Sequence, residues 1–131
     1  MSPASHPFRA AVEAWDLEAF PSLLAEDVVF RSPVAFKPYE GRELVAAILR
    51  GVSRVFEDFR YVREIANEEG HVLEFRTRVG EVEVHGVDIL TTNAQGLVTE
   101  LIVMVRPLSA SNALAAAMKV QFAAIADELK A

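Results

Sequence analysis

The sequence predicts a single α+β domain in which helices come first, a run of antiparallel strands follows, and one more helix closes the chain. Three observations carry this reading. Apolar residues recur at helical spacing from Phe8 to Trp15 and from Leu44 to Phe56. From Phe59 to Arg106 the pattern becomes alternating or apolar strands broken by short turns. After Pro107 an apolar helical pattern returns, from Asn112 to Leu129. A length of 131 residues suits one domain, 1–131, with a real core.

Taken in order, Phe8, Ala11, Val12 and Trp15 fall at i, i+3, i+4 and i+7. Ser5 suits the cap of that helix and Pro7 its first turn. A second helix is expected from Asp16, with Leu17, Phe20, Leu23 and Leu24 on one side. Pro21 must delay or kink it. Val28 to Arg31 reads as a short strand stopped by Ser32-Pro33, and Val34 to Glu40 as a loop. Arg42 to Phe56 is the clearest helix. Its stripe is Leu44, Val45, Ile48, Leu49, Val52, Val55 and Phe56, although Gly51 in its middle costs about 1 kcal/mol against Ala.

Strands are expected over Phe59 to Ile65, His71 to Val79, Glu81 to Thr91 and Leu97 to Arg106. Asn93-Ala94-Gln95-Gly96 supplies the turn between the last two. In His71 to Val79, Leu73, Phe75 and Thr77 share one face; Glu74, Arg76 and Arg78 share the other. The outward residues of the next strand, Glu81, Glu83 and His85, then stand across from those arginines. The last strand is apolar on both faces: Leu101, Val103 and Val105 on one, Val98, Ile102 and Met104 on the other. Its second face should therefore be covered, by the C-terminal helix or by a second subunit. That helix is expected to be capped near Ser109 or Ser111.

Inside Glu81 to Thr91 sits Asp88, flanked by Val87, Ile89 and Leu90. A carboxylate there must stay solvated, find a partner or hold a proton. If it points inward, Val84, Gly86 and Leu90 point with it. The facing strands then offer Leu73, Phe75, Leu101 and Val103, with Thr77 as the nearby hydroxyl. No basic residue falls on that face, so the expected shift of Asp88 is upward. His85 lies three residues from Asp88 on a strand and faces the other way, which argues against a dyad. Trp15, Tyr39, Tyr61 and Phe8 are either ordinary core aromatics or the wall of a ligand cavity.

The net charge of −6 argues against a nucleic-acid partner. Without cysteine there is neither a disulfide framework nor a thiolate metal site, and His6, His71 and His85 lack ligand spacing. No metal or cofactor is expected. No apolar run spans a bilayer and no secretory signal is visible at the N-terminus, so a cytoplasmic protein without membrane association is the expectation.

The order of elements resembles the nuclear transport factor 2-like superfamily, and within it the SnoaL-like group of polyketide cyclases and ketosteroid isomerase relatives. The stretches that carry the resemblance are DLEAFPSLLAEDVVFRSP at Asp16 to Pro33, EGREL at Glu40 to Leu44 and GVDILTTNAQGLVTEL at Gly86 to Leu101. It implies a cone: a strongly curved antiparallel sheet wrapped around the N-terminal helices, with an additional C-terminal helix. Fold alone does not give function.

Ketosteroid isomerases need a carboxylate base on the first strand just before a proline, where this chain has Ser32. They need a tyrosine on the first helix, where it has Phe8. Their protonated aspartic acid, a neutral oxyanion donor, matches Asp88. The resemblance thus implies a cofactor-free pocket for an apolar or weakly polar small molecule, but no true ketosteroid isomerase. The expected catalytic residue is Asp88. The expected wall is Phe8, Trp15, Ser32, Tyr39, Phe56, Phe75, Thr77, Leu90, Leu101 and Val103. Two functional readings stand: an isomerase-, cyclase- or hydrolase-like enzyme, or a non-catalytic binding or dimerisation domain. In both, a homodimer through the outer sheet face is expected.

Overall fold

The computed structural model describes residues 5–130. Its elements are α1 (Pro7–Ala14), α2 (Phe20–Leu23), β1 (Leu24–Arg31), β2 (Tyr39–Glu40), α3 (Arg42–Val55), β3 (Glu57–Asn67), β4 (Gly70–Val79), β5 (Val82–Thr92), β6 (Val98–Arg106) and α4 (Leu108–Lys130). The six strands form one curved, open sheet in the order β2-β1-β6-β5-β4-β3. β3 to β6 form an antiparallel meander, whereas β1 runs parallel to β6. Bulges in β3 and β6 break the register and bend the strands around the helices.

The pleat sorts the side chains into two faces. On the inner face one cross-strand row runs Leu73, Asp88, Val103, and the next runs Tyr61, Phe75, Gly86, Val105. On the outer face one row is Ile65, Val72, Ile89, Ile102, the next is Arg63, Glu74, Val87, Met104, and a third is Arg60, Arg76, His85, Arg106. The core lies between the inner face and the helices and includes Phe8, Phe20, Ile48, Phe75, Leu90 and Leu101.

Several boundaries differ from the sequence reading, each for a physical reason. The helix expected from Asp16 is one turn, Phe20–Leu23, because Pro21 fits only its first turn. Leu24 leaves that helix for β1, where it is buried and pairs with Val98. Tyr39–Glu40 is a short strand rather than loop, paired with Val29 and Phe30. The cap of α1 is His6, not Ser5: its Nδ1 accepts from the Phe8 amide at 3.0 Å. Its Nε2 then carries the proton and donates to the Gly96 carbonyl oxygen at 2.6 Å, which ties α1 to the β5–β6 turn. α4 begins at Leu108, directly after Pro107.

Two corrections concern the outer face. Val98 is fully buried, because the bulge near Thr99 turns it inward, so it does not stand beside Ile102 and Met104. Moreover, α4 does not cover that face. It packs on α3 on the inner side, burying Ala110, Leu114, Met118 and Ile125. Gly51 explains the approach: a Cβ there would stand 3.0 Å from Ile125 Cδ1 and 3.3 Å from Gln121 Cβ. The mid-helix glycine therefore sits directly under side chains of α4. On the outer face Ile65 remains 61% exposed and Met104 54%. Arg78 stands opposite Glu83 in the ladder, but its guanidinium pairs with Asp58 at 2.7 Å and Glu57 at 2.9 Å instead. Among the described residues no helix is long and apolar enough to cross a membrane.

Candidate ligand cavity

Between the inner face of the sheet and the helices is a cavity of about 50 Å³. α1 contributes Phe8 and Val12 to its wall, α3 contributes Ile48, Leu49 and Val52, and α4 contributes Leu114, Met118 and Phe122. Asp88 enters from β5, where the pleat leaves it no other direction. Ser32, at the end of β1, adds a second polar side chain, whose Oγ accepts from the Val34 amide at 3.0 Å. Among the described residues no Lys, Arg or His lines the cavity.

Of the residues expected to form the wall, Phe8, Trp15, Ser32, Phe56, Leu101 and Val103 border the cavity together with Asp88. The other four lie elsewhere. Tyr39 stacks between Phe30 and Phe122, with ring centroids 6.2 and 5.4 Å away, and so backs the wall rather than forming it. Phe75 is fully buried behind Phe56 and Phe59, with centroids 5.8 and 5.1 Å away. Its ring covers Gly86, where a Cβ would meet Phe75 Cζ at 2.5 Å. The Thr77 hydroxyl donates to the Glu57 carbonyl oxygen at 2.7 Å. Leu90 is core. Sequence reasoning also omitted Phe59, Val34 and Phe122 from the wall; Phe59 lies beside a bulge, where strict alternation no longer tells which way a side chain points.

Asp88 is 7% exposed. Its partner is the hydroxyl of Tyr61, which donates to Oδ2 at 2.7 Å. This corrects the expectation that Thr77 is the nearby hydroxyl. Tyr61 lies in the neighbouring row of the inner face and reaches Asp88 diagonally across the sheet. Burial away from water raises the Asp88 carboxyl from 3.8 to about 7, against which the Tyr61 hydrogen bond pulls down. The Tyr61 phenol is itself raised, by burial first and then by the Asp88 charge.

Above the Tyr61 ring, 5.6 Å from its centroid, lies the Arg9 guanidinium. Arg9 is engaged by Glu64 at 2.8 Å and Glu13 at 3.3 Å, and so does not neutralise Asp88 directly. His71 contacts Glu64 at 3.3 Å. His85 points to the outer face, away from Asp88, and meets Glu74 Oε2 at 2.6 Å.

The SnoaL-like domain model matches residues 6–101. No curated protein matches the chain significantly. Among solved structures, a steroid delta-isomerase from Pseudomonas aeruginosa is 40% identical, with 95% of this chain and 90% of that one covered and a TM-score of 0.85. An uncharacterised bacterial protein with a cystatin-like fold from Silicibacter pomeroyi is 38% identical, covering 94% and 87%, with a TM-score of 0.88. A putative SnoaL-like polyketide cyclase from Shewanella denitrificans, 18% identical over 83% and 92% of the two chains, shares the fold at a TM-score of 0.64.

Proposed function

Since the chain belongs to the SnoaL-like domain family, we propose that it holds an apolar small molecule with one polar oxygen against Asp88, and that Asp88 moves a proton to or from it. The observation that carries this reading is a buried carboxyl at a greasy cavity, with a hydroxyl partner and no cation. With its midpoint near 7, Asp88 is populated in both forms at neutral pH. Neutral, it donates to a ligand carbonyl; ionised, it accepts a proton from a carbon or a water. Isomerisation, cyclisation and cofactor-free hydrolysis all need that step.

A cavity of about 50 Å³ holds a few waters, not a polycyclic ligand. Binding therefore requires the half-buried rim side chains Val34, Trp15 and Phe122 to move.

The likeness to a protein named as a steroid delta-isomerase makes a Δ5-3-ketosteroid the first compound to assay. We expect no useful turnover, because Ser32 stands where the base belongs and Phe8 where the phenol belongs. The check is absorbance of the conjugated product, and isomerase-like rates would overturn that part of the reading. Native mass spectrometry of the purified protein tests the ligand itself. An apolar adduct held by the wild type and weakened in Asp88→Asn is the expected result.

A second reading, a binding domain without chemistry that associates through its sheet, draws on the outer row Ile65, Val72, Ile89, Ile102 beside Met104. In it a second copy covers that row.

A further inference from the structure

We propose that Phe36 is a ligand-binding residue that lies outside the empty cavity: it swings with the tip of the β1–β2 segment onto the apolar end of a bound molecule and closes the mouth over it. The proposal rests on the ligand-binding reading above and adds how the ligand is retained.

The segment between β1 and β2, residues 32–38, is part wall and part free. Ser32, Pro33 and Val34 border the cavity. The Val34 amide donates to Ser32 Oγ at 3.0 Å, a tight local turn that holds Val34 at the rim. At the other end Tyr39 pairs with Phe30 in the sheet and stacks on Phe122 of the rim. Pro33 and Pro38 fix φ near both ends. What remains is Ala35, Phe36 and Lys37, and among the described residues no hydrogen bond ties these three to the rest of the chain. Phe36 is fully exposed, more so than any other large apolar side chain described. Lone apolar residues on a surface are ordinary. This one stands two residues, at most about 7 Å of chain, from the wall residue Val34.

The empty cavity gives the ring nothing to cover. Its volume is about 50 Å³, with Val34, Trp15 and Phe122 half-buried around the mouth. A molecule large enough to fill the site parts those side chains. With its oxygen on Asp88, the end it turns to the mouth is apolar, and so are the parted faces of Trp15 and Phe122. Phe36 laid over them removes that surface and its own ring from water together. Only a short tip has to be ordered, which limits the entropy that opposes closure. The contacts form after the ligand has entered, so they slow its release and leave its capture unchanged.

The test is the release of 2-acetylnaphthalene, an apolar ketone, followed in stopped flow by the fluorescence of Trp15, the single tryptophan of the chain. Phe36→Ala should release the probe about tenfold faster than the wild type with a nearly unchanged association rate. Phe36→Leu should recover most of that loss. Without ligand, Phe36→Ala should unfold at the same urea concentration as the wild type, because the ring is fully in solvent there. Equal release rates overturn the proposal. So does a Phe36→Ala protein that is unfolded or clearly destabilised without ligand, since the ring would then hold the fold rather than the ligand. If the probe binds the wild type and is weakened by Asp88→Asn but not by Phe36→Ala, the ligand-binding reading stands and the closure falls. If the wild type does not bind the probe, both fall.

Discussion

Asp88 and Glu74 sit in adjacent rows of the same sheet, yet the protein treats them oppositely. Leu73 faces Asp88 across the β4–β5 ladder, and Glu74, one residue on, faces Val87. The pleat sends Asp88 inward, to a wall without a cation, and burial pushes it up. It sends Glu74 outward, to the His85 imidazole at 2.6 Å and the Arg63 guanidinium at 3.2 Å. The His85 hydrogen bond first, with the nearby arginines adding to it, holds Glu74 below the usual carboxylate range. A carboxyl's protonation here is decided by which face of one strand pair it leaves from, not by its sequence neighbourhood.

The largest effect expected from breaking that contrast is at Asp88. A rise from 3.8 to about 7 corresponds to about 4 kcal/mol between the charge states. Since the folded value is the higher, the native protein binds the extra proton. Wild-type stability should therefore fall as pH rises from 3.8 towards 7 and level off above that. Asp88→Asn keeps an oxygen for Tyr61 and removes the titration. Urea unfolding at pH 5 and pH 8 should show wild type weaker at pH 8 and the variant nearly level. A wild type with no such fall would mean that Asp88 is wet or ion-paired, and the acid reading would lose its basis.

On the outer face, Met104→Glu places a charge in the apolar strip next to Glu74. If a second copy covers that strip, light scattering of the wild type should report about twice 14.4 kDa, and the variant half of that. A monomeric wild type would remove the association reading.

The smallest effect is expected at Glu74 itself. Its folded value is depressed, so what it contributes is present at neutral pH and lost as pH falls through that value. Glu74→Gln should lower the urea midpoint slightly at pH 7 and not at all in acid, opposite in sign to Asp88→Asn. An effect at pH 7 matching that of Asp88→Asn in size would contradict the picture of a solvent-screened pair.

Much of this contrast was legible in the sequence. The alternation Leu73, Glu74, Phe75, Arg76 and the turn at Asn93 to Gly96 fixed the β4–β5–β6 register, because a period of two leaves one register that buries the apolar set. Asp88 follows from that register with its apolar companions and no cation. The α1 and α3 stripes likewise gave those helices and their inner residues. These are local properties, written in short windows.

What the tertiary structure alone decided has a longer reach. Tyr61 meets Asp88 across 27 positions because a bulged β3 is brought beside β4. Val98 turns inward through a bulge that alternation cannot foresee. β1 lies parallel to β6, and α4 closes on α3 rather than on the outer face, with Ile125 seated against small Gly51. Each of these depends on shape complementarity between distant segments. Periodicity tells a segment which of its faces is apolar; only packing determines which other segment, and which single hydroxyl, that face meets.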